Sequence, residues 1–236
     1  MINYLGFLIL FLTRSLCYGQ DDFPIETIRE TIEEFVPKTW KIIRTANGDL
    51  NNDKVDDVAL VIQEMDSKNL DIKSGYGIDT LDSNPRILIV LLKNASTGKF
   101  KLKGISKTFI LSHLSRTMED PFSGIQISKG ILGIEFHFWY SAGSWFVTTV
   151  EYKFKFQKND FVLIGAEFDQ MDRGTMETTK RSFNFLSKKM SETKFNEAIE
   201  DQKPTTEWKN LNLKKLKTLK TLTGPLQWTI LPNVEI

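Results

Sequence analysis

Cysteine is almost missing from this chain: Cys17 is the only one. A single cysteine excludes a disulfide framework and any cysteine-based metal site. Histidine is nearly as scarce, with His113 and His137 alone, so the H-E-x-x-H metalloprotease pattern is excluded. No G-x-S-x-G elbow, P-loop or dinucleotide fingerprint occurs either. Charge of one sign is also lacking. The 31 Lys and Arg residues nearly cancel the 30 Asp and Glu residues, which argues against a nucleic-acid partner. The longest apolar run, Tyr4–Leu12, is too short to cross a bilayer.

That short run reads as the core of a signal peptide over residues 1–19. Cys17 and Gly19 put small residues three and one positions before a cleavage point ahead of Gln20. The expected destination is secreted or periplasmic. The alternative is a lipoprotein anchored at Cys17, for which Arg14-Ser15-Leu16 is a poor approach. Residues 20–236 then form one β-rich domain with a Lys/Leu-rich segment at 209–222 and no transmembrane segment. The 17 Phe and 5 Trp residues are enough for a sizeable core and suit sheet packing.

One stretch has chemistry in its spacing. Asp49, Asn51, Asp53 and Asp57 fall at positions 1, 3, 5 and 9 of a loop with the pattern D-x-N-x-D-x-x-x-D. Alternate oxygen-bearing side chains in a tight turn converge, and Ca²⁺ takes roughly six to eight oxygens at about 2.3–2.6 Å. Trp40–Arg44 before the loop and Val58–Ile62 after it read as strands. Position 12 is Leu60 rather than the bidentate Glu of an EF-hand. The competing reading is an Asx-rich turn that satisfies its own backbone.

Gly48-Asp49-Leu50-Asn51, Asp53 and Asp57-Val58-Ala59-Leu60-Val61 resemble the calcium loops of FG-GAP and VCBS-type repeats. The resemblance implies Ca²⁺ held by the side chains of Asp49, Asn51, Asp53 and Asp57 and by the Val55 carbonyl. This chain departs from it at Lys54, where the family usually has Gly because the turn favours positive φ. A non-glycine residue there costs about 1–2 kcal/mol. Asp120-Pro121-Phe122, Gly143-Ser144-Trp145, Phe154–Gln157, Phe161–Gly165 and Asn184–Ser187 extend the likeness to a group of uncharacterised secreted bacterial proteins. That wider likeness implies no known reaction. The loop is not repeated, so a propeller of several such repeats is not expected.

The fold expected from patterning is mainly β (α+β by content). It is an antiparallel meander forming a curved sheet, sandwich or barrel, with an N-terminal amphipathic helix over Pro24–Val36. Residues 65–85 read as a long polar loop, and Arg86–Leu92 as a buried strand. Strands follow at Gly124–Ser128, Ile131–Tyr140, Trp145–Gln157 and Phe161–Phe168, separated by turn signals. Arg181–Lys188 reads as a further strand. The leucines and lysines of 209–222 read as a basic amphipathic helix, either a surface helix or one resting on anionic lipid.

Catalytic candidates are few. A glycosidase needs two facing carboxylates, and Glu135 and Glu151 are the available pair. They face each other only in a register that sets like charges opposite. Placing His137 opposite Glu151 and Glu135 opposite Lys153 avoids the clash. Trp139, Tyr140 and Trp145 around the Ser141–Ser144 turn form a possible ligand platform, since aromatic rings carry much of the energy at binding hot spots. The expectation is therefore a non-enzymatic binding or envelope protein with a protein or glycan partner. The alternative is a secreted hydrolase acting on glycan or peptidoglycan. A binding module should expose an aromatic patch, whereas a hydrolase should bury a carboxylate pair or a His–carboxylate pair in a cleft.

Overall fold

The computed structural model describes residues 27–73 and 79–236. The signal peptide, its cleavage point and Cys17 lie outside the described residues. The first strands are β1 (Ile28–Arg29), β2 (Trp40–Gly48), β3 (Asp57–Glu64), β4 (Leu70–Ile72), β5 (Thr80–Asp82), β6 (Arg86–Lys93) and β7 (Phe100–Ser106). A meander follows: β8 (Phe122–Ser128), β9 (Ile131–Phe138), β10 (Phe146–Gln157), β11 (Asp160–Asp172), β12 (Glu177–Asn184), β13 (Lys189–Asn196) and β14 (Thr205–Asn210). A small ribbon of β15 (Thr229–Leu231) and β16 (Val234–Glu235) comes last.

Two antiparallel sheets carry the architecture. One has five strands in the order β1-β7-β6-β3-β2, the other seven in the order β14-β13-β12-β11-β10-β9-β8. Among the described residues both sheets are open, with no closure into a barrel. The long meander follows from turn chemistry. Lys129-Gly130 (φ 52° and 74°) and Lys158-Asn159 (φ 50° and 63°) are two-residue links with both residues at positive φ, the geometry that matches the twist of paired strands.

The main core lies between the sheets. Ala59, Val61, Leu88 and Val90 of the first sheet face Leu132, Ile134, Phe136, Val150, Tyr152, Phe154 and Leu163 of the second. Phe109, from the chain leaving β7, sits edge-on to Phe136, Tyr152 and Phe154 at 5.6, 5.0 and 5.7 Å between ring centroids. Such T-shaped contacts favour the ring quadrupoles. Beside this core, Arg86 is only 4% exposed and grips Asp120 with two hydrogen bonds of 2.7 and 2.6 Å. The pair ties β6 to the segment entering the meander.

Two expected helices are absent. Over Pro24–Val36, residues 24–26 lie outside the described set, and the rest forms β1 and a three-residue 3-10 turn at Glu33–Phe35. Phe35 is buried, and Ile32 and Val36 pack with it on the outer face of the five-stranded sheet, yet Ile28 is 53% exposed. Thr27, Ile28, Thr31 and Ile32 are β-branched and helix-weak, and the edge of β7 offers Ile28 and Arg29 backbone partners. The segment 209–222 starts as the end of β14 and continues without helix. Leu211, Leu213, Leu219 and Leu222 are buried in the main core. The leucine spacing therefore records burial of an irregular chain, and no apolar helix face is offered to lipid there. Among the described residues, no helix is long and apolar enough to cross a membrane.

Candidate functional site

The Asp-rich loop joins β2 to β3 at the seam between the sheets. Gly48 lies so close to β8 that a Cβ there would stand 2.7 Å from Ile127 Cγ2. The loop's oxygens face its own backbone. Asp49 accepts from the N–H groups of Asn52 (2.6 Å) and Asp53 (3.2 Å) through Oδ1, and from Lys54 (2.8 Å) through Oδ2. Asn51 Oδ1 accepts from the Asp53 N–H, and Asp53 Oδ1 from the Val55 N–H, both at 2.9 Å. Asp57 is fully buried and accepts from the Leu50 and Lys93 N–H groups, both at 2.9 Å.

These bonds correct the calcium expectation. Among the described residues, no group of three or more His, Cys, Asp or Glu side chains is placed to hold a metal ion. Asp49, Asn51 and Asp53 form successive local Asx caps on the loop's own N–H groups, that of Val55 included, and Asp57 ties the loop to β6 through the Leu50 and Lys93 N–H groups. The spacing that would converge oxygens on a cation also converges them on successive amide hydrogens. Charges follow this geometry. Burial works against the Asp49 carboxylate, but the N–H groups of Lys54, Asn52 and Asp53 hold it below the usual range. Asp57 is pushed up, chiefly by burial, despite its two N–H donors. Lys54 does take positive φ, at 69°.

The outer face of the seven-stranded sheet carries the other candidates. In the β9–β10 register Phe136 is opposite Val150 and Ile134 opposite Tyr152, with Glu135 opposite Glu151 and His137 opposite Thr149. The expected pairing of Glu135 with Lys153 is therefore wrong, and Lys153 lies opposite Gly133. The like charges are accommodated from neighbouring strands. Lys153 Nζ lies 2.9 Å from Glu167 and 3.4 Å from Glu151, and Gln126 donates to Glu151 at 2.9 Å. The expected register, two residues away, would have kept the same inner row on the core face; the contacts of Lys153 and Gln126 offset the repulsion in the register adopted.

Glu135, Glu151, Glu167, Ser182, Ser191 and Trp208 thus form one row across six strands. A groove of about 320 Å³ runs along this face, with Thr149, Asp169, Lys180 and Thr193 as further lining. Among the described residues, neither histidine joins a carboxylate by hydrogen bond. His137 Nδ1 is 3.0 Å from Thr149 Oγ1, and His113 Nε2 is 2.6 Å from the Met118 carbonyl.

Trp139, Tyr140 and Trp145 are brought together at the β9–β10 end of this sheet. Arg173 organises them and has no sequence signal pointing to it. Its guanidinium lies 5.2 Å from the Trp139 ring centroid and donates to the Tyr140 and Ser144 carbonyls, both at 2.7 Å. Trp145 is 67% exposed and Phe146 47%. Phe146 opens β10 with the pleat parity of Val150 and Tyr152, on the side opposite Trp145, and is nonetheless exposed. The rings sit at the same end as His137 and Thr149, so the aromatic end leads into the acidic row. Compared with family models, curated proteins and solved structures, the chain matches none.

Proposed function

We propose that this is a secreted or periplasmic binding protein, without catalysis of its own, that takes a glycan on the outer face of its seven-stranded sheet. The observation that supports the reading is the exposed Trp145, next to the Ser141–Ser144 turn that Arg173 holds in place. Large rings held rigidly in water lose little entropy on binding and stack on the apolar faces of sugar rings. The carboxylates and hydroxyls of the adjoining groove accept hydrogen bonds from sugar hydroxyl groups.

Co-sedimentation with insoluble polysaccharides, including peptidoglycan sacculi, tests this directly. Trp145→Ala should weaken retention by about tenfold, the loss of one hot-spot ring. Retention that survives this change, or no retention on any polysaccharide, would sink the glycan reading.

A glycan hydrolase is the second reading, favoured by the direct facing of Glu135 and Glu151. It predicts release of reducing ends that stops in Glu151→Gln. Binding without release supports the non-catalytic reading.

A further inference from the structure

The two edges of the seven-stranded sheet are treated differently. β8 runs beside β2, with Gly48 against Ile127. Among the described residues β14 has a strand on one side only, and five of its six residues are exposed. Open edges invite pairing, and natural sheets blunt them with proline, bulges or outward lysines. β14 has no proline, and its register with β13 runs unbroken from Lys189–Asn210 to Lys194–Thr205. Its one lysine, Lys209, turns inward to Glu192 at 3.0 Å. Trp208 stands on the outer face, 73% exposed.

We propose that β14 is a homodimer interface, in which two copies of this chain pair antiparallel about a two-fold axis at Trp208. The argument for a second copy is the self-complementarity of Thr206-Glu207-Trp208-Lys209-Asn210. A dyad normal to the sheet keeps outer residues opposite outer residues, so only dyads centred on a residue are allowed. A dyad at Glu207 sets Glu207 opposite itself, and a dyad at Lys209 does the same with lysine. Like charges directly opposite are destabilising. The dyad at Trp208 sets Glu207 of each copy opposite Lys209 of the other, twice, on one face. On the other face the two Trp208 rings meet. This register pairs opposite charges and removes the exposed tryptophan from water. It joins two seven-stranded sheets into one continuous sheet.

The inference does not depend on the glycan reading. If both hold, the dimer places two binding faces side by side and raises avidity for a polymer.

Light scattering coupled to size exclusion, run on the full chain from micromolar to millimolar concentration, tests it. The expected result is a mass that rises to twice the 27.2 kDa of one chain, or of its processed form. Trp208→Thr and Glu207→Lys should each shift the midpoint by about tenfold or more towards monomer. Both residues are exposed in the single chain, so circular dichroism and melting temperature at low concentration should stay unchanged. A monomer at every concentration overturns the proposal. So does a dimer that both substitutions leave intact.

Discussion

Asp57 and Asp53 have the same side chain in the same loop and very different work. Asp57 is fully buried and is the acceptor for two amide hydrogens, one of them from Lys93 on another strand. Asp53 lies exposed and serves only its neighbours Val55 and Asn51. Asp57→Ala leaves the Leu50 and Lys93 N–H groups without their acceptor, and should cost about 2–5 kcal/mol in chemical denaturation. Asp53→Ala should cost less than about 1 kcal/mol, as an exposed change. Melting curves recorded with calcium and with chelator should superimpose for the unmodified chain. A calcium-dependent rise in melting temperature would restore the ion that the hydrogen bonds displace. The spacing of the four Asx residues was legible in the sequence, but their acceptor roles were not. Lys93, which settles the role of Asp57, is remote in sequence.

At the scale of elements, β12, β13 and β14 are joined by a buried charge. Glu192 is 5% exposed and faces Arg181 at 2.6 Å, Lys209 at 3.0 Å and Lys194 at 3.3 Å. Burial alone would raise its pKa. Hydrogen bonds from Arg181 and Lys209, with the charges of Arg181 and Lys194, bring it from 4.5 down to about 2. A carboxyl depressed in the folded state stabilises the fold above its unfolded pKa. That contribution is lost as pH falls from 4.5 towards about 2. Its full size is on the order of 3 kcal/mol. Denaturant midpoints measured from pH 6 down to pH 2 should therefore fall steeply below pH 4.5, and Glu192→Gln should flatten that fall. An equally steep fall in Glu192→Gln would assign the acid sensitivity to other carboxylates.

At the scale of the whole molecule, the seam between β2 and β8 is where the two sheets come closest. Gly48 is required there by space, since a Cβ would meet Ile127 Cγ2 at 2.7 Å and its Cβ at 3.2 Å. Gly48→Ala should destabilise by about 1–3 kcal/mol, the usual cost of overpacking. Ile127→Ala in the same chain should recover part of that loss. Additive losses in the double variant would show that the two positions do not share the contact. On the outer face, the same global packing places Glu135 beside Glu151 and draws the platform rings around Arg173.

The sequence by itself determined the first four strands of the meander, the turns between them and the mainly β character, because alternation and positive-φ turn residues act over a few neighbouring positions; β12 begins four residues before the strand expected at 181–188, and β13 and β14 had no clear pattern. It also named the aromatic cluster beside the Ser141–Ser144 turn. Only the tertiary structure decided the rest. The N-terminal stripe became an edge strand and a 3-10 turn because β7 offered backbone partners. The leucines of 209–222 went into the core because the sandwich needed filling. The Asx oxygens turned to amide hydrogens, and Glu135 faced Glu151, with Lys153 and Gln126 drawn to Glu151 to offset the repulsion. In each case contacts distant in the chain outweighed a local preference worth about 1 kcal/mol or less per residue.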